Sequence, residues 1–326
     1  MRKKLFLLFK TLLLLIIFIW IIKSVNIHAT LSLLRKTNLL FFFTALIIHN
    51  SSNIFLTIKW QRLAVPLGIK STFLDLLKLN YISVFYSIFV PGQASGELIK
   101  GIKLAKKENS QEKVWIPILI DKITNTFIVL LIGLIAVLSD DVFRKHSNLV
   151  FVISFVTASL GLLTFTLFTE HTSHLINYIM DKILKLIQSF KINITPLKDL
   201  SLSYHKNYKN HTGLMLETLL WSLFVKIPHI FAFYFLAKSL GLNLNLIVSA
   251  WLFAIVSIAS LLPISFSGLG VREGVVILLL SKIGVDNSSA LSLSMLIFTI
   301  GILTGLIGGV IEIISGFQLK TKPQNE

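Results

Sequence analysis

The chain has no cysteine among its 326 residues. That absence removes disulfides, thiol nucleophiles, iron–sulfur clusters and zinc–thiolate sites. Charge is scarce too. Asp, Glu, Lys and Arg make up 14% of the residues, against roughly a quarter in a soluble domain. Acidic residues are the scarcest, 15 against 31 basic ones. A soluble fold of this size would lack the polar surface to cover itself, and the 54% hydrophobic content excludes intrinsic disorder. There is no HExxH, no Walker loop, no dinucleotide fingerprint and no Gly-x-Ser-x-Gly elbow. His171 and His174 stand three apart with no acidic cluster near them, so no metal site and no cofactor are expected.

What is present is a series of apolar runs close to the roughly 20 residues that cross a bilayer as a helix. They are Leu5–Ile22, Leu39–Ile58, Val114–Leu138, Leu149–Phe168, Leu214–Leu240 with Pro228 inside, and Ser289–Ile314. Continuous runs of this length exclude a transmembrane barrel, whose strands alternate. Trp60, just past the second run, reads as an interfacial anchor. Between residues 170 and 213, a one-sided apolar stripe from Leu175 to Phe190 predicts a helix lying on the membrane surface. Gly301, Gly305 and Gly309, four apart, predict a close helix-packing face.

Two segments do not fit a simple span. The run ending at Val90 breaks at Pro91-Gly92-Gln93-Ala94-Ser95-Gly96 and restarts as Glu97-Leu98-Ile99-Lys100. The run Leu246–Leu262 breaks at Pro263-Ile264-Ser265-Phe266-Ser267-Gly268-Leu269-Gly270 and restarts as Val271-Arg272-Glu273-Gly274. Pieces of about ten residues cover only about 15 Å, so each segment is expected to enter and leave on one side as a re-entrant hairpin. Irregular backbone at that depth must be enclosed by protein or line a water-filled cavity.

With six spans and two hairpins, nineteen basic residues fall on the cytoplasmic side and seven outside. That bias follows the positive-inside rule and places both termini in the cytoplasm. It also accounts for the net charge of +16 without nucleic acid, for which no separate basic domain exists. Gly92 and Gly268 are offset by 176 residues, as are Glu97 and Glu273. The flanking runs share that offset. The order helix, broken hairpin, helix is therefore expected twice, over about 39–138 and 214–314, in inverted orientation, the arrangement of secondary transporters. The expected fold class is an all-α polytopic membrane protein. It comprises one integral membrane domain, 1–318, and a polar cytoplasmic tail, 319–326.

The breaks carry the strongest chemical signal. Glycines permit sharp turns, and a restarting helix offers free N–H groups and a positive dipole end to an anion. Lys100 and Arg272 are expected to hold a phosphate, with Glu97 and Glu273 balancing the charge of the empty site. Ser95 and Glu97 can equally serve as helix caps. Arg272 can equally form a structural ion pair, for example with Glu97. Being adjacent, Arg272 and Glu273 are expected to point at different partners. In the third run, Asp121 and Asn125 share a face, while Lys122 either joins the site or reaches to the interface. Glu217, Lys226 and His229 are weaker candidates of the same kind.

The segment Val90–Lys100, the later Ser267-Gly268-Leu269-Gly270-Val271-Arg272-Glu273-Gly274 and their spacing resemble the lysylphosphatidylglycerol synthase transmembrane (flippase-like) family over about residues 5 to 315. The resemblance implies a multi-pass protein of the cytoplasmic membrane that handles lipid head groups or lipid-linked sugars. Full-length family enzymes carry a soluble aminoacyl-transferase domain after the membrane region. This chain stops at Glu326, so that domain is expected to be absent and lysyl transfer is not expected. Asp121-Lys122 and Asn125 stand where the family pattern has a Glu-Arg pair and an Asp. The leading expectation is a translocator of a phospholipid or lipid-linked head group. A membrane-embedded transferase and a non-catalytic subunit of an envelope-biogenesis complex remain as alternatives. Anionic or lipid-linked membrane lipids are the expected partners, with an envelope-biosynthesis enzyme as a further one.

Overall fold

The structure, a computed structural model, describes residues 26–90, 95–108, 112–144, 147–166, 212–261 and 268–321. The expected first span, the centres of both breaks with Pro91, Gly92 and Pro263, the surface helix 175–190 and the end of the tail lie outside the described residues. Every regular element among the described residues is a helix. In order they are α1 (Ile27–Arg35), α2 (Leu39–Ala64, continued by a 3₁₀ turn, Val65–Leu67), α3 (Phe73–Phe89), α4 (Ser95–Glu108) and α5 (Glu112–Leu138). The short α6 (Asp141–Arg144), then α7 (Ser147–Thr166), α8 (Thr212–Ser239), α9 (Leu246–Ser260), α10 (Val271–Ser281) and α11 (Asn287–Thr321) follow.

In hydrocarbon every backbone group needs an internal partner, so apolar segments of this length close their hydrogen bonds as helices. Segments of α2, α5, α8 and α11 are each long and apolar enough to cross a membrane. The chain is an all-α membrane protein. Helix starts are set by side chains: Asn38 caps α2, Asn245 caps α9, and Thr72 with Asp75 forms a capping box on α3.

The helices pair antiparallel. Asn38 N–H donates to the Ser239 carbonyl at 2.8 Å, Phe41 stacks on Phe235, and Phe55 stacks on Trp221. At the far end of the same pair Arg62 meets Glu217 at 3.1 Å. Rising numbers on α2 thus match falling numbers on α8. In the same way α11 runs back along α3, with Gly301 facing Ile88, Gly305 facing Ile88 and Phe85, and Gly308 lying against the Tyr81 backbone. The expected Gly301, Gly305 and Gly309 all lie on this face, Gly309 against the Phe85 ring, and Gly308, not expected there, makes the tightest approach. The contacts are also reciprocal. As α3 lies on α11, so α9 lies on α5, where Gly133 meets Ala254 and Trp251 Nε1 donates to Asp140 at 3.1 Å.

The first broken segment folds back on itself. The ammonium of Lys107 at the end of α4 meets Asp75 at the start of α3 at 2.6 Å. The Lys70 N–H donates to Glu108 at 3.0 Å. At the opposite end, Ser95 Oγ donates to the Tyr86 carbonyl at 2.9 Å, and a Cβ on Gly96 would strike the Ser83 carbonyl and Ser87 hydroxyl. Gly96 is what lets α4 start this close to α3.

Candidate functional site

A cavity of about 260 Å³ opens among α2, α3, α4, α5, α8 and α11. Its polar lining is unusual for a helix bundle in lipid: His49, Asn80, Glu97, Lys100, Asp121, Lys226 and His229 all contribute. His49, Asn80, Asp121, Lys226 and His229 come from apolar helices, and Glu97 and Lys100 from the more polar α4. Ionisable groups at this depth are costly and mark function by default.

Lys59 anchors one wall. It is fully buried and meets Asp121 Oδ1 at 2.7 Å, with further hydrogen bonds to Thr124 Oγ1 at 2.9 Å and Asn125 Oδ1 at 3.1 Å. Asn125 Nδ2 in turn donates to Asp121 Oδ1 at 3.0 Å, as their shared helix face predicts. A neutral amide here both accepts from Lys59 and donates to Asp121, which a second carboxylate could not do. Lys122, on the neighbouring face, meets Glu97 at 2.9 Å. It therefore joins α5 to the start of α4 and does not simply reach to the interface.

Lys100 is placed differently. Its ammonium donates to Asn80 Oδ1 at 2.6 Å and lies 3.6 Å from the centre of the Trp60 ring. Asn80 is itself held by donation to Thr57 at 2.8 Å. Both partners of Lys100 are neutral. Trp60 is 1% exposed, and its indole N–H has no partner among the described residues. Lys226, at the middle of α8, has no ion pair among the described residues and shares the electrostatic field of Lys59, Lys122, Asp121 and Glu97. Four ammonium groups thus surround two carboxylates, and both carboxylates are already matched. The positive charge of Lys100 and Lys226 is left over.

A second cavity of about 140 Å³ adjoins the first through Glu97, Asn125 and Lys226, and is also lined by Ser257, Ile258 and Leu261 of α9 and its end. The Glu97–Lys122 pair stands where the two cavities share their wall.

Not every expected site residue comes here. Glu97, Lys100, Asp121, Lys122 and Asn125 line one or both cavities, and Gly96 starts the helix that brings two of them. Arg272 and Glu273 do not line either. The two pair with each other, contrary to the expectation of separate partners. Gly270, at φ 83°, begins α10 and its N–H donates to Glu273 Oε2 at 2.6 Å, which turns the carboxylate back towards its neighbour. Arg272 Nε also donates to Ser294 at 3.3 Å, and the guanidinium covers the Phe298 ring. With Gly268, also at positive φ, this fastens α10 to α11. Trp60 is no interfacial anchor, and Lys59 and Lys100, two of the nineteen basic residues counted on the cytoplasmic side, are interior with it. α2 continues past the expected end at Ile58 to Ala64, and that extension carries Lys59 and Trp60 inward. His49, Lys59 and Asn80 were not singled out from the sequence. The signal for the first was a histidine inside an apolar span.

The profile of the family described as "Lysylphosphatidylglycerol synthase TM region" matches residues 7–309. The chain belongs to this family. A UPF0104 membrane protein of Pyrococcus horikoshii is 24% identical to it over 333 residues, covering 95% of this chain and 96% of that one. No solved structure matches. In this chain the helix after the first break, α4, lines the larger cavity, whereas the helix after the second, α10, starts with the Arg272–Glu273 pair.

Proposed function

We propose that this protein is a flippase-like translocator that takes the phosphate-bearing head group of an anionic phospholipid or lipid-linked donor into the cavity and carries it across the cytoplasmic membrane. The carrying observation is the surplus of positive charge at Lys100 and Lys226 beside the Trp60 N–H, which has no partner among the described residues. A phosphate would accept from all three donor groups and offset the surplus. The family name supports the choice, since phosphatidylglycerol is an anionic lipid. Inverted repeats are supported by the antiparallel pairing of α2 with α8 and the reciprocal contacts of α3 with α11 and α9 with α5. In such a device the repeats rock about a fixed site. The smaller cavity, opening against the end of α9, is the path for the head group once the Glu97–Lys122 pair parts.

The test is reconstitution in liposomes with head-group-labelled phosphatidylglycerol. Lys100→Ala and Lys226→Ala are each expected to weaken lipid binding and movement about ten- to hundredfold, the worth of a hydrogen bond to a charged group. Equal movement by wild type and both variants would refute the site. Consumption of a lipid-linked donor without movement would replace the reading with a transferase.

A further inference from the structure

His49 on α2 and His229 on α8 face each other with Nδ1 atoms 3.1 Å apart and rings 4.7 Å apart. One imidazole donates the bond and the other accepts, so the neutral pair is satisfied with a single shared hydrogen. Phe253 of α9 stacks on His229 at 5.6 Å and covers its outer face. The pair lies about ten residues, or about 15 Å, from the joined ends of α2 and α8 at Asn38 and Ser239, close to the middle of the membrane. It bridges the first helices of the two halves and lines the same cavity as Lys100 and Lys226.

We infer that the His49–His229 pair is a proton-binding site that loads together with the anion, making the protein a proton–phosphoanion symporter. This rests on the anionic-head-group reading of the cavity. A proton added at a free Nε2 leaves the Nδ1–H···Nδ1 bond in place and makes it charge-assisted, so one proton is taken up and no other bond breaks. The groups that line the same cavity as the pair include Lys226 on α8, Asp121 on α5, Glu97 and Lys100 on α4, Asn53 on α2 and Thr304 on α11. Since both carboxylates are matched by lysines, the empty cavity repels a further positive charge. A bound phosphodiester removes one charge of that surplus and so lowers the repulsion, and by linkage the proton strengthens anion binding in turn. Because the pair joins α2 to α8, loading also changes the contact on which the two halves would turn.

The experiment is calorimetric titration of the purified full chain with dihexanoyl phosphatidylglycerol, whose phosphodiester does not titrate near neutrality. It is run in buffers of differing ionisation heat from about pH 6 to about pH 8, the range in which imidazole changes charge. Wild type is expected to take up about one proton per lipid bound, with affinity rising about tenfold per unit fall in pH. His49→Gln and His229→Gln, and the double variant, are expected to reduce the uptake to near zero. Lipid binding with no proton uptake by wild type overturns the inference and leaves the anion site standing. Uptake that persists in the folded variants assigns the proton elsewhere and overturns it too. If the lipid does not bind at any pH, the anion reading falls and the inference with it. The wild-type count decides the matter even if a variant fails to fold. Glycerophosphoglycerol, the same head group without tails, separates the sources of the anion. Binding of both probes with proton uptake supports a site for phosphoanions in general, and binding of the lipid alone supports a lipid symporter.

Discussion

At the scale of single residues, the interior ion pairs carry the largest energies. Lys59 is wholly buried against Asp121, and removing one partner of such a pair strands the other charge. Asp121→Ala is expected to destabilise the protein by about 3–5 kcal/mol, whereas Lys59→Met with Asp121→Leu should cost far less. Thermal unfolding in detergent measures both; equal losses would show that the pair's charges are not the point. At the membrane surface the hydrogen bond from Lys107, aided by Thr72, holds the Asp75 carboxyl down at about 2, from an ordinary 3.8. A depressed acid stabilises the fold above its unfolded value and loses that contribution as pH falls. Wild-type stability should therefore hold above about pH 4 and decline towards pH 2, and Asp75→Asn should lack that part of the decline. Melting temperature against pH, compared between the two proteins, is the check. The i, i+4 partnership of Asp121 and Asn125 was legible in the sequence because both lie on one helix. The depth of Lys59, Trp60 and Lys100 was not. All three stand beside loops in the chain, and only α3, α4 and α5 closing over them makes them interior.

At the scale of helices, small residues set the approach distances. A Cβ on Gly308 would collide with the Tyr81 carbonyl, and backbone cannot move aside as a flexible side chain can. Gly308→Ala is expected to destabilise the α3–α11 contact by about 1–3 kcal/mol, the usual cost of overpacking. Gly301→Ala, whose Cβ would find only Ile88 at 3.9 Å, should be nearly neutral. A melting comparison of the two decides it, and an equal effect would mean that the contact is looser than it stands here. The four-residue glycine spacing was readable as a packing face, but its partner was not. The two breaks also looked equivalent as strings of residues. Their helices diverge because Glu97 reaches Lys122 across to α5, whereas Glu273 is turned back onto Arg272 by its bond to the Gly270 N–H.

At the scale of the whole molecule, orientation follows from charge. The bias of basic residues leads us to expect the end of α4 on the cytoplasmic side. In this cysteine-free chain, Lys106→Cys is expected to resist an impermeant thiol reagent applied to intact cells and to react in inverted vesicles. Labelling from outside would reverse the orientation. The sequence by itself determined the class: long apolar runs, few charges and no cysteine allow only a helical membrane protein, because the bilayer leaves the backbone no other way to satisfy itself. It also placed the broken segments, since glycine and proline act locally. Which charges meet was decided by the tertiary structure alone. A lysine's partner depends on which helix lies beside it, and the antiparallel register of α2 with α8 and of α3 with α11 is a long-range packing outcome. That register brings His49 to His229, buries Lys59 and Lys100, and leaves the positive charge of Lys100 and Lys226 facing a cavity.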